Sequence, residues 1–187
     1  MFRILALLLV IFIMGFGFTM YRFISATHDP KIWHVDPQIV ERPLTPNTYL
    51  VAPQTLHLVT VDREAPQYSV TIDVLAKAFD DFIVRQNNIG IVAGSVDEGW
   101  ITYVQRSAVL RVPDYITIKF IPLEGDASTV IIWSRSRFGH GDMGVNKARI
   151  DSWLSNFESL ERTPVDIVLL GATPEVSPEA TPEAASQ

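Results

Sequence analysis

From Ile4 to Met20 the chain reads ILALLLVIFIMGFGFTM, apolar on every side and without a charge. At 1.5 Å rise per residue this run reaches about 25 Å as a helix, close to the roughly 30 Å hydrocarbon core of a bilayer. Phe2, Tyr21 and Phe23 add aromatic rings suited to the interfaces, and Arg3 and Arg22 bracket the span. The run is longer than the ~7–15 residues of a signal-peptide core, and no A-x-A cleavage site follows it. The pattern therefore predicts an uncleaved single-pass anchor over residues 1–24, touching the lipid bilayer through residues 4–20.

The pattern then changes. Residues 25–53 show little periodicity and carry Pro30, Pro37, Pro43, Pro46 and Pro53. Each proline removes a backbone donor and disfavours helix in the residue before it, which predicts an extended connector. TLHLVTVDR, Thr55 to Arg63, alternates enough for a short strand. From Ser69, a plausible N-cap, Ile72, Leu75, Ala76, Phe79, Phe82 and Ile83 recur at helical spacing, and NNIG stops the run.

Three strand candidates follow, Gly99–Val109, Asp114–Pro122 and Ser128–Phe138, separated by the turn sequences RVPD and LEGDA. Connections this short imply an antiparallel meander. GIVAGS, Gly90 to Ser95, is a candidate edge strand. In the middle strand Ile116, Ile118 and Phe120 form one face, and Tyr115, Thr117 and Lys119 form another that suits solvent. VNKARIDSWLSNFESL is a second helix, with Ala148, Ile150, Trp153, Leu154, Phe157 and Leu160 on its inner face. VDIVLLG, Val165 to Gly171, is a last apolar run.

The fold class predicted is α+β. It is a two-layer sandwich, an antiparallel sheet of about four to five strands with two helices on one face, plus the N-terminal transmembrane helix. The division is anchor 1–24, proline-rich connector 25–53, α+β domain 54–171 and tail 172–187. The tail is rich in Pro, Glu, Ala and Ser, which predicts disorder.

Composition narrows the chemistry. The net charge of −6 provides no basic field for nucleic acid. The absence of cysteine excludes disulfides, thiolate metal sites and cysteine nucleophiles. Arg3 on one side of the span nearly balances Arg22 and Lys31 on the other. The reading adopted places the amino terminus inside and the domain in the periplasm, at a bacterial inner membrane.

The most conspicuous motif is GHGDMG, Gly139 to Gly144, which fits G-x-G-x-x-G between a strand and a helix. A dinucleotide site also needs a parallel βαβ unit and an acidic residue at the end of the next strand. The strands here look antiparallel, and Asp166 stands at the start of its run. No nucleotide is expected. The glycines instead suit a tight turn, with Asp142 or Asn146 capping the helix that follows. Ser134, Ser136, His140 and Asp142 are residue types of a hydrolase triad, but the G-x-S-x-G elbow is missing. His34 with Asp36, and His140 with Asp142, would hold a metal only if the fold brought the two pairs together.

The arginines carry more. Arg135 and Arg137 project to one face of their strand, and Arg106 and Arg111 lie on or near a neighbouring strand. Together they could read a carboxylate or phosphate, against the plainer expectation of ion pairs with Asp114, Asp142 or Glu98.

The string S-R-S-R-x-G-x-x-D-x-G-x-N-x-x-R-I, from Ser134 to Ile150, is the most specific pattern in the chain. With PDYITIKF, TYVQRS and WHVDP after a membrane segment, it resembles domain-of-unknown-function family 1499, in particular alphaproteobacterial, membrane-anchored members. The likeness runs from about Asp29 to Leu160 and implies an envelope protein without an assigned activity or cofactor. The expected function is a non-catalytic binding or scaffolding module for an anionic ligand or an envelope protein. Its candidate ligand residues are Arg135, Arg137, His140, Asp142, Asn146 and Arg149. The alternatives are a metal-dependent hydrolase built on the His/Asp pairs and a purely structural role for the strand-to-helix motif.

Overall fold

The computed structural model describes residues 2–56 and 59–162. Helix α1, Phe2–Ile24, projects from the domain with none of its residues buried and touches it through Phe23 in its last turn. It is long and apolar enough to cross a membrane. A single turn of helix, α2 (Pro30–Trp33), follows, with the Asp29 carboxylate accepting from the Lys31 N–H at its start.

The strands are β1 (Thr48–Ala52), β2 (Arg63–Glu64), β3 (Gln67–Tyr68), β4 (Ile89–Ser95), β5 (Trp100–Arg106), β6 (Pro113–Leu123) and β7 (Ala127–Ser136). They form one seven-stranded sheet of order β2-β1-β7-β6-β5-β4, with β3 also on β7. The meander β4 to β7 is antiparallel, as its short turns require. The sheet is larger than the four to five strands expected, and β1–β2 is a parallel pair. Two-residue strands such as β2 and β3 leave no periodic trace in a sequence.

β1 falls inside the segment expected to be a connector. Leu50, Val51 and Ala52 have no exposed surface. Tyr49 and Val51 join the core on one side of the sheet, Leu50 and Ala52 that on the other. A strand buried on both faces shows a continuous apolar run and no alternation. The strand expected over Thr55–Arg63 is replaced by a 3-10 turn at Gln54–Leu56 and by β2.

Helices α3 (Ile72–Ile83) and α4 (Val145–Leu154) cover one face, α4 continuing as a 3-10 turn over Ser155–Leu160. The stripe Leu75, Ala76, Phe79 and Ile83 meets Ile116, Ile118, Phe120, Val130 and Ile132 from the sheet. Phe79 stacks on Phe157 at 3.9 Å and meets Tyr68 and Phe120 edge-on. The N-cap of α3 is Thr71 rather than Ser69, and its side chain makes no capping bond.

The other face is not open to solvent, contrary to expectation. Residues 26–47 cross it as a strap. Trp33 stacks on Tyr115 at 3.6 Å, His34 bonds Thr102, and Asp36 pairs with Lys119. Tyr115, Thr117 and Thr102 are fully buried beneath it. The strap reaches β4 at Gly94, whose φ of +84° and closeness to the His34 ring leave no room for a Cβ. The molecule therefore has helices, sheet and an irregular third layer. Val165–Gly171 and the tail lie outside the described residues.

Candidate functional site

Strand period decides where the serine–arginine string goes. Ser134 and Ser136 turn to the helix side, and Arg135 to the strap side. On the helix side, Ser134 Oγ donates to Asn146 Oδ1, and Asn146 Nδ2 donates to Ser136 Oγ and the Asn47 carbonyl. Arg149 donates to Asn146 Oδ1, Ser134 Oγ and Gln105, and forms an ion pair with Asp114 at 2.5 Å. Asn146 is fully buried. This network locks α4 onto β6 and β7, with the polar groups satisfied.

The N-cap of α4 is Gly144, with Asn146 inside the helix. Asp142, two residues before the cap, accepts from the backbone N–H of Gly144 and Asn146 at 3.0 and 2.8 Å and so satisfies the open helix end. Gly139 and Gly144 have φ of +93° and +79°, whereas Gly141 is not in the left-handed region and has nothing near it. The glycine pattern thus works as a turn. His140 is exposed on that turn.

The six candidate residues therefore do not form one site. Asn146 and Arg149 lie on the helix side and Arg135 and Arg137 on the strap side, with the sheet between them. Sequence spacing showed that Arg135 and Arg137 share a face, but not that α4 would pack on the opposite one. The His/Asp pairs do not converge either. The His34 ring stacks on Trp100 at 4.1 Å, Asp36 is bound to Lys119, and Asp142 is occupied in capping. Among the described residues no group of three or more His, Asp or Glu side chains could hold a metal. Burial holds the His34 imidazole below its ordinary pKa, partly offset by Glu98.

On the strap side Arg135 is only 6% exposed. Its guanidinium donates to the Trp33 carbonyl at 2.6 Å and to Thr117 Oγ1, and lies 3.8 Å over the Trp133 ring. None of the ion pairs among the described residues includes it. The expected partners are engaged elsewhere: Asp114 with Arg149, Asp142 with the helix cap, and Glu98 with Ser95. Burial of this uncompensated cation pushes its pKa down to about 10. The Trp133 indole N–H is also buried without an acceptor. Arg137 donates to the Thr27 carbonyl and to Tyr115 Oη, again without a carboxylate.

A cavity of about 470 Å³ opens here, lined by Arg42, Thr45, Asn47, Trp133, Arg135 and Arg137 among others. Arg42 Nη2 donates to both carboxylate oxygens of Asp62, and Glu41 is the acidic residue of the lining. A larger cavity of about 580 Å³ lies on the helix side by Phe82, Gln86 and Trp153. Its charged pair, Asp114 and Arg149, is already neutralised. Arg106 also lines it without a carboxylate partner among the described residues, its donors held by backbone carbonyls and His28. The smaller cavity differs in joining the buried Arg135 guanidinium to the unpartnered Trp133 N–H.

Beyond the cavity, His28 sits between Arg106 Nη2 at 2.9 Å and Tyr115 Oη at 2.8 Å. Burial, then Arg106 and Arg137, hold its pKa below the ordinary value. Arg106 also donates to the carbonyls of Phe23, Ala26 and Arg111. Sequence reading placed Arg106 near the other arginines but had no signal for the Phe23 and Ala26 carbonyls, which are 83 and 80 residues away.

None of the curated proteins matches this chain. The family model described as Protein of unknown function (DUF1499) matches residues 37–157, all of β1 to α4 and the strand-to-helix motif with it, and the chain belongs to that family.

Proposed function

We propose that this protein is a single-pass, membrane-anchored binding domain, facing the periplasm, whose ligand carries a carboxylate or phosphate. The observation that carries this reading is Arg135, a buried guanidinium with no carboxylate partner, beside an open cavity. A buried cation is costly unless an anion or a full set of acceptors compensates it. An entering anion would supply that charge, and Arg137 and the Trp133 N–H stand beside it as further donors. Ser136 Oγ accepts from Asn146 Nδ2 on the other side of the sheet and Thr45 Oγ1 donates to Asn47, so neither hydroxyl is paired with a base, and binding is favoured over catalysis.

The test is titration of the full chain in detergent with inorganic phosphate and with acetate, following both calorimetric heat and melting temperature. Wild type should bind saturably and gain stability as ligand rises. Arg137→Gln and Arg135→Lys should weaken binding, whereas His140→Ala should not. Equal, weak binding by all four proteins would overturn the proposal.

A second reading rests on the carbonyls that Arg135 and Arg137 already hold, those of Trp33 and Thr27. In it the arginines serve only to fasten the strap. It expects stability losses in the variants and no ligand response in wild type.

A further inference from the structure

The turn between β5 and β6, Ser107 to Val112, ends in two apolar side chains that the fold does not use. Val109 is 84% exposed and Leu110 43%. Arginines stand on both sides of them, Arg106 and Arg111. The turn is built rather than loose: Ser107 and Val112 bond through backbone and through Ser107 Oγ. Arg111 holds a left-handed φ of 57° and donates to Asn88.

The turn lies beside the end of α1. A single nitrogen of Arg106, Nη1, donates to the Phe23 carbonyl at 2.8 Å and to the Arg111 carbonyl at 3.0 Å. The next loop, after β7, touches the same point, with Phe138 packed 5.0 Å from Phe23. The last turn of α1 is therefore clamped to this end of the sheet.

Depth follows from chain geometry. The apolar run ends at Met20, so Phe23 lies about 4.5 Å beyond it. Each polar layer of a bilayer is about 5–7.5 Å thick. Val109 is two residues from Arg111, a reach of about 7 Å. The Phe23 and Arg111 carbonyls share one donor and lie within about 6 Å of each other, so the hairpin tip lies within about 13 Å of the Phe23 carbonyl, a reach that includes the headgroup layer beside it.

We infer that the Ser107–Val112 turn is a second membrane contact, with Val109 and Leu110 inserted at the acyl boundary and Arg106, Arg111 and Arg137 at the level of lipid phosphates. The inference rests on α1 being a membrane span. Apolar tips flanked by arginines partition into an interface in this manner, the guanidinium groups remaining in the polar layer. Two contacts joined by the Arg106 clamp fix the tilt of the domain on the bilayer, where one flexible tether would not.

The chain has no cysteine, so single labels are clean. Val109→Cys, Phe16→Cys and Glu124→Cys are each labelled with an environment-sensitive fluorophore. Each full chain is then placed in phosphatidylcholine–phosphatidylglycerol vesicles. Glu124 is exposed on the β6–β7 turn, at the far end of an 11-residue strand and about 35 Å away. Quenching by nitroxide-bearing lipid is compared with quenching by aqueous acrylamide.

The label at Val109 should emit further to the blue than that at Glu124. It should be quenched severalfold more by a shallow lipid nitroxide and less by acrylamide. The label at Phe16 should respond to a deep nitroxide. If Phe16 responds and Val109 behaves like Glu124, the membrane contact is overturned while the span stands. If Val109 is shielded from both quenchers, the tip is covered by protein and the inference also fails. If Phe16 does not respond to lipid quenchers, the span itself is wrong and the hairpin contact falls with it.

Discussion

Asn146 ties β7, α4 and the end of the strap through one side chain. Its carboxamide uses both ends, accepting from Ser134 and Arg149 and donating to Asn47 and Ser136. Asn146→Ala removes these four hydrogen bonds, although Arg149 keeps Asp114 and Gln105, Ser134 keeps Arg149 and the Asn47 carbonyl keeps the Ser136 N–H. A lost buried bond or orphaned group costs about 1–3 kcal/mol. The expected loss is about 3 kcal/mol, read as a shift in the urea midpoint. Asp142→Ala should cost only about 1 kcal/mol, because a cap can be replaced by water. A loss for Asn146→Ala no greater than for Asp142→Ala would contradict this ordering. Of this site, the serine–arginine alternation and the capping aspartate were legible in the sequence. The two faces of β7 were legible as different, but which one receives α4 depends on packing and not on period.

The strap is the element that local patterning misjudges. Prolines mark it as irregular, and irregular it is, yet it does the work of a third layer. Val40 is buried against Leu50, Ala52, Ile131 and Trp133. A fragment of residues 25–187 should fold and melt cooperatively. A fragment of residues 47–187 exposes Tyr115, Trp133 and Arg135 and should melt at much lower temperature or aggregate. Equal melting of the two by circular dichroism would show the strap to be dispensable. On the opposite face the aromatic stack of Phe79 on Phe157 is core, and Phe79→Ala should cost about 3–5 kcal/mol. Helix α3 was legible because one stripe faces one layer. Strand β1 was not, because burial on both faces erases the alternation that announces a strand.

At the scale of the molecule, His28 links pH to the junction between α1 and the sheet. Its folded-state pKa lies below the ordinary 6.5 because of burial, Arg106 and Arg137. Its stabilising contribution is complete above the unfolded-state value and declines as pH falls below it towards the folded-state value, where the unfolded chain takes up a proton that the folded one refuses. Melting temperature should therefore fall on acidification below about pH 6.5, and His28→Gln should flatten that slope. An unchanged slope in the variant would assign the effect to other groups. In membranes, the full chain should resist alkaline carbonate extraction, and the 25–187 fragment should be released. By itself the sequence determined what depends on neighbours along the chain: the apolar helix, the amphipathic α3, the antiparallel meander, the capped glycine turn and the family pattern. The tertiary structure alone decided that the strap covers the second face, that Arg135 is buried there without a counter-charge, and that Arg106 clamps the end of α1 to a hairpin. The Arg135–Trp33, Lys119–Asp36 and Arg106–Phe23 contacts join residues 102, 83 and 83 positions apart, and no local periodicity encodes which distant carbonyl a guanidinium will reach.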